Sequence, residues 1–102
     1  MRGKYSTSDG YMRVVNNKLG YFGDENHKKK VIVINKKIHE KGKKKALFGI
    51  PKKDATLINT MVHEEMHKDH PKMYENTIRK ETGKKLESMT QKQKSRLRSR
   101  YP

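Results

Sequence analysis

His63 and His67 stand four residues apart with Glu64 beside the first, giving the pattern His-Glu-x-x-His within His63-Glu64-Glu65-Met66-His67. On a helix this spacing puts both imidazoles on one face, where they can converge on a single ion. The chemistry such a group performs is zinc-assisted hydrolysis: two histidines hold the metal and the glutamate takes a proton from the activated water. A catalytic zinc site has three protein ligands and keeps a further position for water. Candidates for the third ligand are His70, Glu75, Glu81 and Glu87. On an unbroken helix His70 lies two turns from His63, roughly 10 Å along the axis, so it can serve only if the helix breaks before it. Glu75 follows Pro71 by one turn, and a tight turn folding the next helix back would bring its carboxylate towards His67. Glu75 is therefore preferred, with His70 as the alternative, while Glu81 would need a longer overlap of the two helices. The absence of cysteine excludes thiolate ligands, disulfides and cysteine nucleophiles.

These residues need a helix to carry them, and one is expected over residues 55–69, capped by Asp54 after the break at Gly49-Ile50-Pro51 and stopped by Pro71. At about 100° per residue, Leu57, Ile58, Met61 and Val62 share the side that faces a core. The histidines lie roughly opposite, together with Thr56, Asn59 and Thr60, whose modest size leaves room for a ligand. A second helix is expected over 71–82, begun by Pro71 and ended by Gly83. Tyr74, next to Glu75, is either a half-buried packing residue or a donor to a developing oxyanion. Thr90-Gln91-Lys92-Gln93 has the capping-box pattern, which predicts a last short helix over 94–100 with Leu97 as its only apolar residue.

Upstream, Val31-Ile32-Val33-Ile34 is an uninterrupted β-branched run and the firmest strand. Residues 11–15 and 19–22 read as a hairpin around Asn16-Asn17, with Gly23-Asp24-Glu25-Asn26 as a further turn and residues 1–10 as a loose lead-in. The lysine-rich stretch 35–45, with Ile38, Ala46, Leu47 and Phe48 available to dock it, is a short helix or a long loop. The expected fold is α+β: a small antiparallel sheet packed on the motif helix, followed by one or two helices. One domain over residues 11–88 would carry a basic helix or tail over 89–102.

Of the 102 residues 30% are hydrophobic and 36% charged, so the core is thin and a bound Zn2+ would add to stability. The formal charge of +15 implies acidic partners, nucleic acid first among them, besides a peptide or protein substrate. Lys28 to Lys30 and Lys43 to Lys45 are solvated turns or a phosphate-binding rim. No apolar run is long enough for a bilayer and no signal segment is visible at the start, so no membrane partner and a cytoplasmic location are expected. A reading of another class is a basic nucleic-acid-binding protein whose zinc is structural or vestigial. A third is an interaction protein, phage-encoded or host-directed, that uses the scaffold without turnover. The aromatics lie mostly between Tyr5 and Phe22, apart from the basic runs, which counts against the nucleic-acid reading, and Glu64 argues against a scaffold without turnover, since holding zinc does not require it.

The strand 30–35 followed some twenty-five residues later by Leu57-Ile58-Asn59-Thr60-Met61-Val62-His63-Glu64-Glu65-Met66-His67 resembles the minimal zincin core of the SprT-like and minigluzincin metallopeptidases. The resemblance spans approximately residues 19–80. It implies a zincin-like fold and peptidase activity. It also implies a third ligand supplied as glutamate from the following helix, which matches Glu75 at a shorter spacing than the group's pattern. The strand 31–35 would lie on the substrate side of the cleft, and an association with DNA would accord with the charge.

Overall fold

The β-branched run Val31–Ile34 becomes an inner strand of a mixed four-stranded sheet, because both of its backbone edges find partners. The computed structural model describes residues 2–6, 9–39 and 56–102, the first of these as backbone. In chain order the elements are β1 (Arg2–Ser6), β2 (Met12–Val15), β3 (Gly23–Asn26), β4 (Val31–Ile34), α1 (Leu57–Asp69), α2 (Glu75–Ser88) and α3 (Gln91–Arg98). The fold is α+β, with strand order β1-β2-β4-β3. The proposed Asp54 cap, the Gly49-Ile50-Pro51 break, most of the 35–45 stretch and Lys43 to Lys45 lie outside the described residues. Among the described residues no helix is long and apolar enough to cross a membrane.

The sheet is not purely antiparallel as expected. β1 pairs antiparallel with β2, and β3 antiparallel with β4, but β2 and β4 run parallel with Val15 opposite Ile34. The cause lies in the connection at residues 16–22, which does not turn back beside β2 as a hairpin would. It arches over the end of β4 and delivers β3 to the far edge. Asn35, 3% exposed, holds this arch. Its side-chain amide donates to the carbonyls of Asn17 (3.2 Å) and Leu19 (2.7 Å), and its backbone N–H donates to Phe22 O at 2.9 Å.

Two further expectations fail locally. Residues 23–26, expected as a turn, form β3, and the turn falls instead at residues 27–30, where Lys30 takes φ 51°. Gly23 is there for close approach: a Cβ would sit 2.9 Å from Thr60 Cγ2 on α1 and 3.1 Å from Val33 O. Residues 2–6, expected as a lead-in, form an edge strand by pairing with β2.

α1 is capped by Thr56, whose side chain accepts from Asn59 N at 3.2 Å, and it ends at Asp69 ahead of Pro71. α2 begins four residues beyond Pro71, after a turn in which Met73 N donates to His70 O at 3.0 Å, and it runs through Gly83 to Ser88. A glycine in a helix interior costs about 1 kcal/mol. Burial of Ile78 and Thr82 against α1 offsets that and carries the helix past the expected stop. α3 has the predicted capping box, with Thr90 Oγ1 accepting from Gln93 N at 3.1 Å and Gln93 accepting from Thr90 N at 2.8 Å.

The core lies between the sheet and α1: Tyr11, Val15, Ile32, Ile34, Met61 and Tyr101, with Leu57, Ile58 and Leu97 packed against it. Tyr101 brings the basic C-terminal segment down onto the domain, with only 3% of its own surface exposed.

Candidate metal centre

Because α1 is continuous from Leu57 to Asp69, His63 and His67 occupy successive turns of one face, with their Nε2 atoms 3.1 Å apart. Glu75 is the first residue of α2, and the turn at residues 70–74 folds that helix back so that its carboxylate bridges both rings. Oε1 lies 2.9 Å from His63 Nε2 and Oε2 2.8 Å from His67 Nε2. The spacing of eight residues from His67 suffices because Glu75 sits at the helix start rather than one turn inside it.

The donor chemistry fits a small divalent cation. Three groups, each presenting a lone pair, meet with all ligand atoms within 4.8 Å of one another. Ligands about 2.0–2.1 Å from a tetrahedral zinc stand about 3.3 Å apart; the two imidazole nitrogens, 3.1 Å apart, are close to that edge, and Glu75 offers one oxygen to each ring. Burial holds the His63 pKa below its ordinary value, against the opposing pull of Glu75, so its ring is neutral at pH 7 and available as a ligand. The glutamate side of the triad is half open to solvent, and there Arg79 Nε lies 3.5 Å from Glu75 Oε1.

The other candidates are not brought in. His70 caps the end of α1 and is exposed; Glu81 pairs with Lys84 at 3.6 Å on the solvent side of α2; Glu87 is exposed near the helix end. Tyr74 is the N-cap residue of α2 and 84% exposed, so it is neither the packing residue nor a donor directed into the site.

Glu64 is 6% exposed and is not hydrogen-bonded to any described residue. Burial pushes its carboxyl up to about 8, with the negative charges of Asp24, Glu75 and Glu25 adding to the shift. The influence of Glu75 places this carboxyl within electrostatic reach of the triad.

Glu65, the residue between the motif's two halves, has the opposite environment. Arg13 of β2, fully buried, grips it through Nε at 3.0 Å and Nη2 at 2.7 Å. Tyr101 donates to it at 2.6 Å, and Lys68 lies 2.9 Å away. Asp9 completes the network with bonds to Arg13 at 2.9 and 3.0 Å and to Lys68 at 2.6 Å. These contacts hold the Glu65 carboxyl below the usual range despite burial and tie α1 to both β2 and the C-terminal segment. Sequence reasoning missed this network. The one available signal was an arginine inside an otherwise apolar strand, Arg13 between Met12 and Val14.

The strand expected on the substrate side does not have a free edge. β4 is hydrogen-bonded on both sides, to β2 and β3, whereas among the described residues β3 pairs only with β4 and packs beside α1. Compared with known proteins, the chain matches no family model, no curated protein and no solved structure.

Proposed function

We propose that the protein is a zinc-dependent peptidase of the zincin type, and the convergence of His63, His67 and Glu75 at 2.8–3.1 Å carries that reading. These three side chains would hold the ion, and Glu64, buried beside them, would move the proton. When bound, zinc supplies Lewis acidity towards a substrate carbonyl and makes water a competent nucleophile near neutral pH.

The remaining steps belong to the chain. Glu64 would accept the proton of the attacking water and pass it to the leaving amine. Without metal its carboxyl is held up at about 8 and so mostly protonated at pH 7; a dication held by His63, His67 and Glu75 would favour the ionised form that a base needs. Glu65, anchored by Arg13 and Tyr101, prevents α1 from rotating and so keeps both histidines and Glu64 in register. An extended substrate would add to the outer edge of β3, the sheet edge beside α1.

The +15 charge favours a second reading, a basic metal-binding protein without turnover that acts near nucleic acid. One paired measurement separates the two: zinc content and cleavage of an unstructured protein, with and without DNA, for wild type and Glu64→Gln. The peptidase reading expects both proteins to hold zinc and the variant to lose about a hundredfold or more in rate. Zinc in both with cleavage by neither would leave the binding reading, and equal cleavage by both would remove Glu64 from the chemistry.

A further inference from the structure

α1, α2 and α3 line a half-open cleft of about 250 Å3 that includes Val62, Met89 and Leu97 as its apolar surface, with Lys85, Arg96 and Arg100 also lining it. These three cations come from α2, from α3 and from the segment after it. None has an acidic or hydrogen-bonding partner for its side chain among the described residues, which sets them apart from Arg13, Lys68, Arg79 and Lys84. The carboxylates that also line the cleft are already engaged. Glu65 is held by Arg13, Tyr101 and Lys68, and Asp69 lies 3.5 Å from Lys68. The cleft therefore carries uncompensated positive charge around an apolar surface.

We infer that this cleft is a binding site for a small ligand bearing a compact polyanion, a phosphate monoester or its like, on an apolar body. The apolar body would lie against Val62, Met89 and Leu97 while Lys85, Arg96 and Arg100 converge on the anion. Guanidinium groups suit that geometry, since each can give two parallel N–H bonds to phosphate oxygens. A nucleic-acid backbone would use the cations without the apolar surface, and a cleft in which apolar side chains from three elements sit among the cations favours the small ligand. The inference does not rest on the zinc reading, because these cations belong to α2, α3 and the tail rather than to the triad.

The test is calorimetric titration of the full chain, kept metal-free by chelator so that phosphate cannot bind at the triad. The probes are phenyl phosphate, inorganic phosphate and a single-stranded oligonucleotide. Phenyl phosphate should bind saturably and at least tenfold more tightly than inorganic phosphate. Arg96→Ala and Arg100→Ala should each weaken it about three- to tenfold. Arg98→Ala is the control for net charge: it removes one positive charge from α3 at a position that does not line the cleft, and should change affinity less than twofold. The inference is overturned if phenyl phosphate binds no better than inorganic phosphate, if Arg98→Ala costs as much as Arg96→Ala, or if only the oligonucleotide binds. The last result would make this face a backbone-binding surface.

Discussion

Replacing Tyr101 with phenylalanine removes one hydroxyl from the molecule and one bond from Glu65. The ring is 3% exposed and keeps its packing against the core, so the loss is confined to the 2.6 Å bond its O–H donates to the carboxylate. A bond to a charged partner contributes about 1.5–3 kcal/mol, and Glu65 keeps Arg13 and Lys68, so no buried charge is left unpaired. The expected cost is therefore about 1.5–3 kcal/mol. For a domain near this size, 1 kcal/mol moves Tm by roughly 4–8 °C, so the fall should exceed 6 °C. Urea unfolding of the metal-free protein should show a lower midpoint at unchanged slope. The pH profile supplies a second readout. Because contacts lower the Glu65 pKa on folding, its contribution is fully present above the ordinary value of 4.5 and is lost as pH falls through the lower folded value. Tyr101→Phe relaxes that depression, so the difference between variant and wild type should shrink in acid. A change below 0.5 kcal/mol at pH 7, or a difference that does not shrink in acid, would refute the docking of the C-terminal segment onto α1.

Purified protein should hold about one zinc per chain, with His63→Ala and His67→Ala each abolishing it in elemental analysis, and Glu75→Ala should weaken binding far more than His70→Ala does. In metal-free protein Glu64 has a folded pKa of about 8 against an ordinary 4.5, so its contribution is fully present below pH 4.5 and lost as pH rises through 8. Glu64→Gln should accordingly flatten the decline in stability and exceed wild type at pH 9 by on the order of 5 kcal/mol in urea titrations with chelator, while unchanged pH dependence would contradict the raised pKa. Gly23→Ala should destabilise by about 1–3 kcal/mol in the same assay, since the added methyl meets Thr60 Cγ2 and the backbone oxygen of Val33 within 3.1 Å; no effect would mean that β3 and α1 yield easily.

The convergence of His63 and His67 was legible because it is local. A four-residue spacing on a helix fixes how His63 and His67 meet whatever surrounds them. Glu75 was reached through a helix start four residues too early, and its approach to the two histidines was still anticipated because the argument needed only that α2 fold back after Pro71. The sheet was less legible. Residues 19–22 carry aromatic, strand-forming side chains, and residues 23–26 carry turn formers, yet the order is reversed by what each meets: Phe22 stacks on His39 at 4.6 Å, and Gly23 passes under Thr60. Such contacts join residues far apart in sequence, and propensity does not encode them. The Glu65 network was illegible for the same reason, since Arg13, Glu65 and Tyr101 are separated by 52 and 36 positions.

The arch clasped by Asn35 bears on the order in which the chain acquires its shape. β3 and β4 are joined by a four-residue turn and can zip together within microseconds, before anything distant is in place. β2 must then find the other edge of β4 in parallel, closing a longer loop whose entropy is recovered only when the carbonyls of Asn17, Leu19 and Phe22 reach the Asn35 amides. The slow step is thereby placed at the strand that also delivers Arg13 to Glu65, so the motif helix is locked into register only once the sheet has closed.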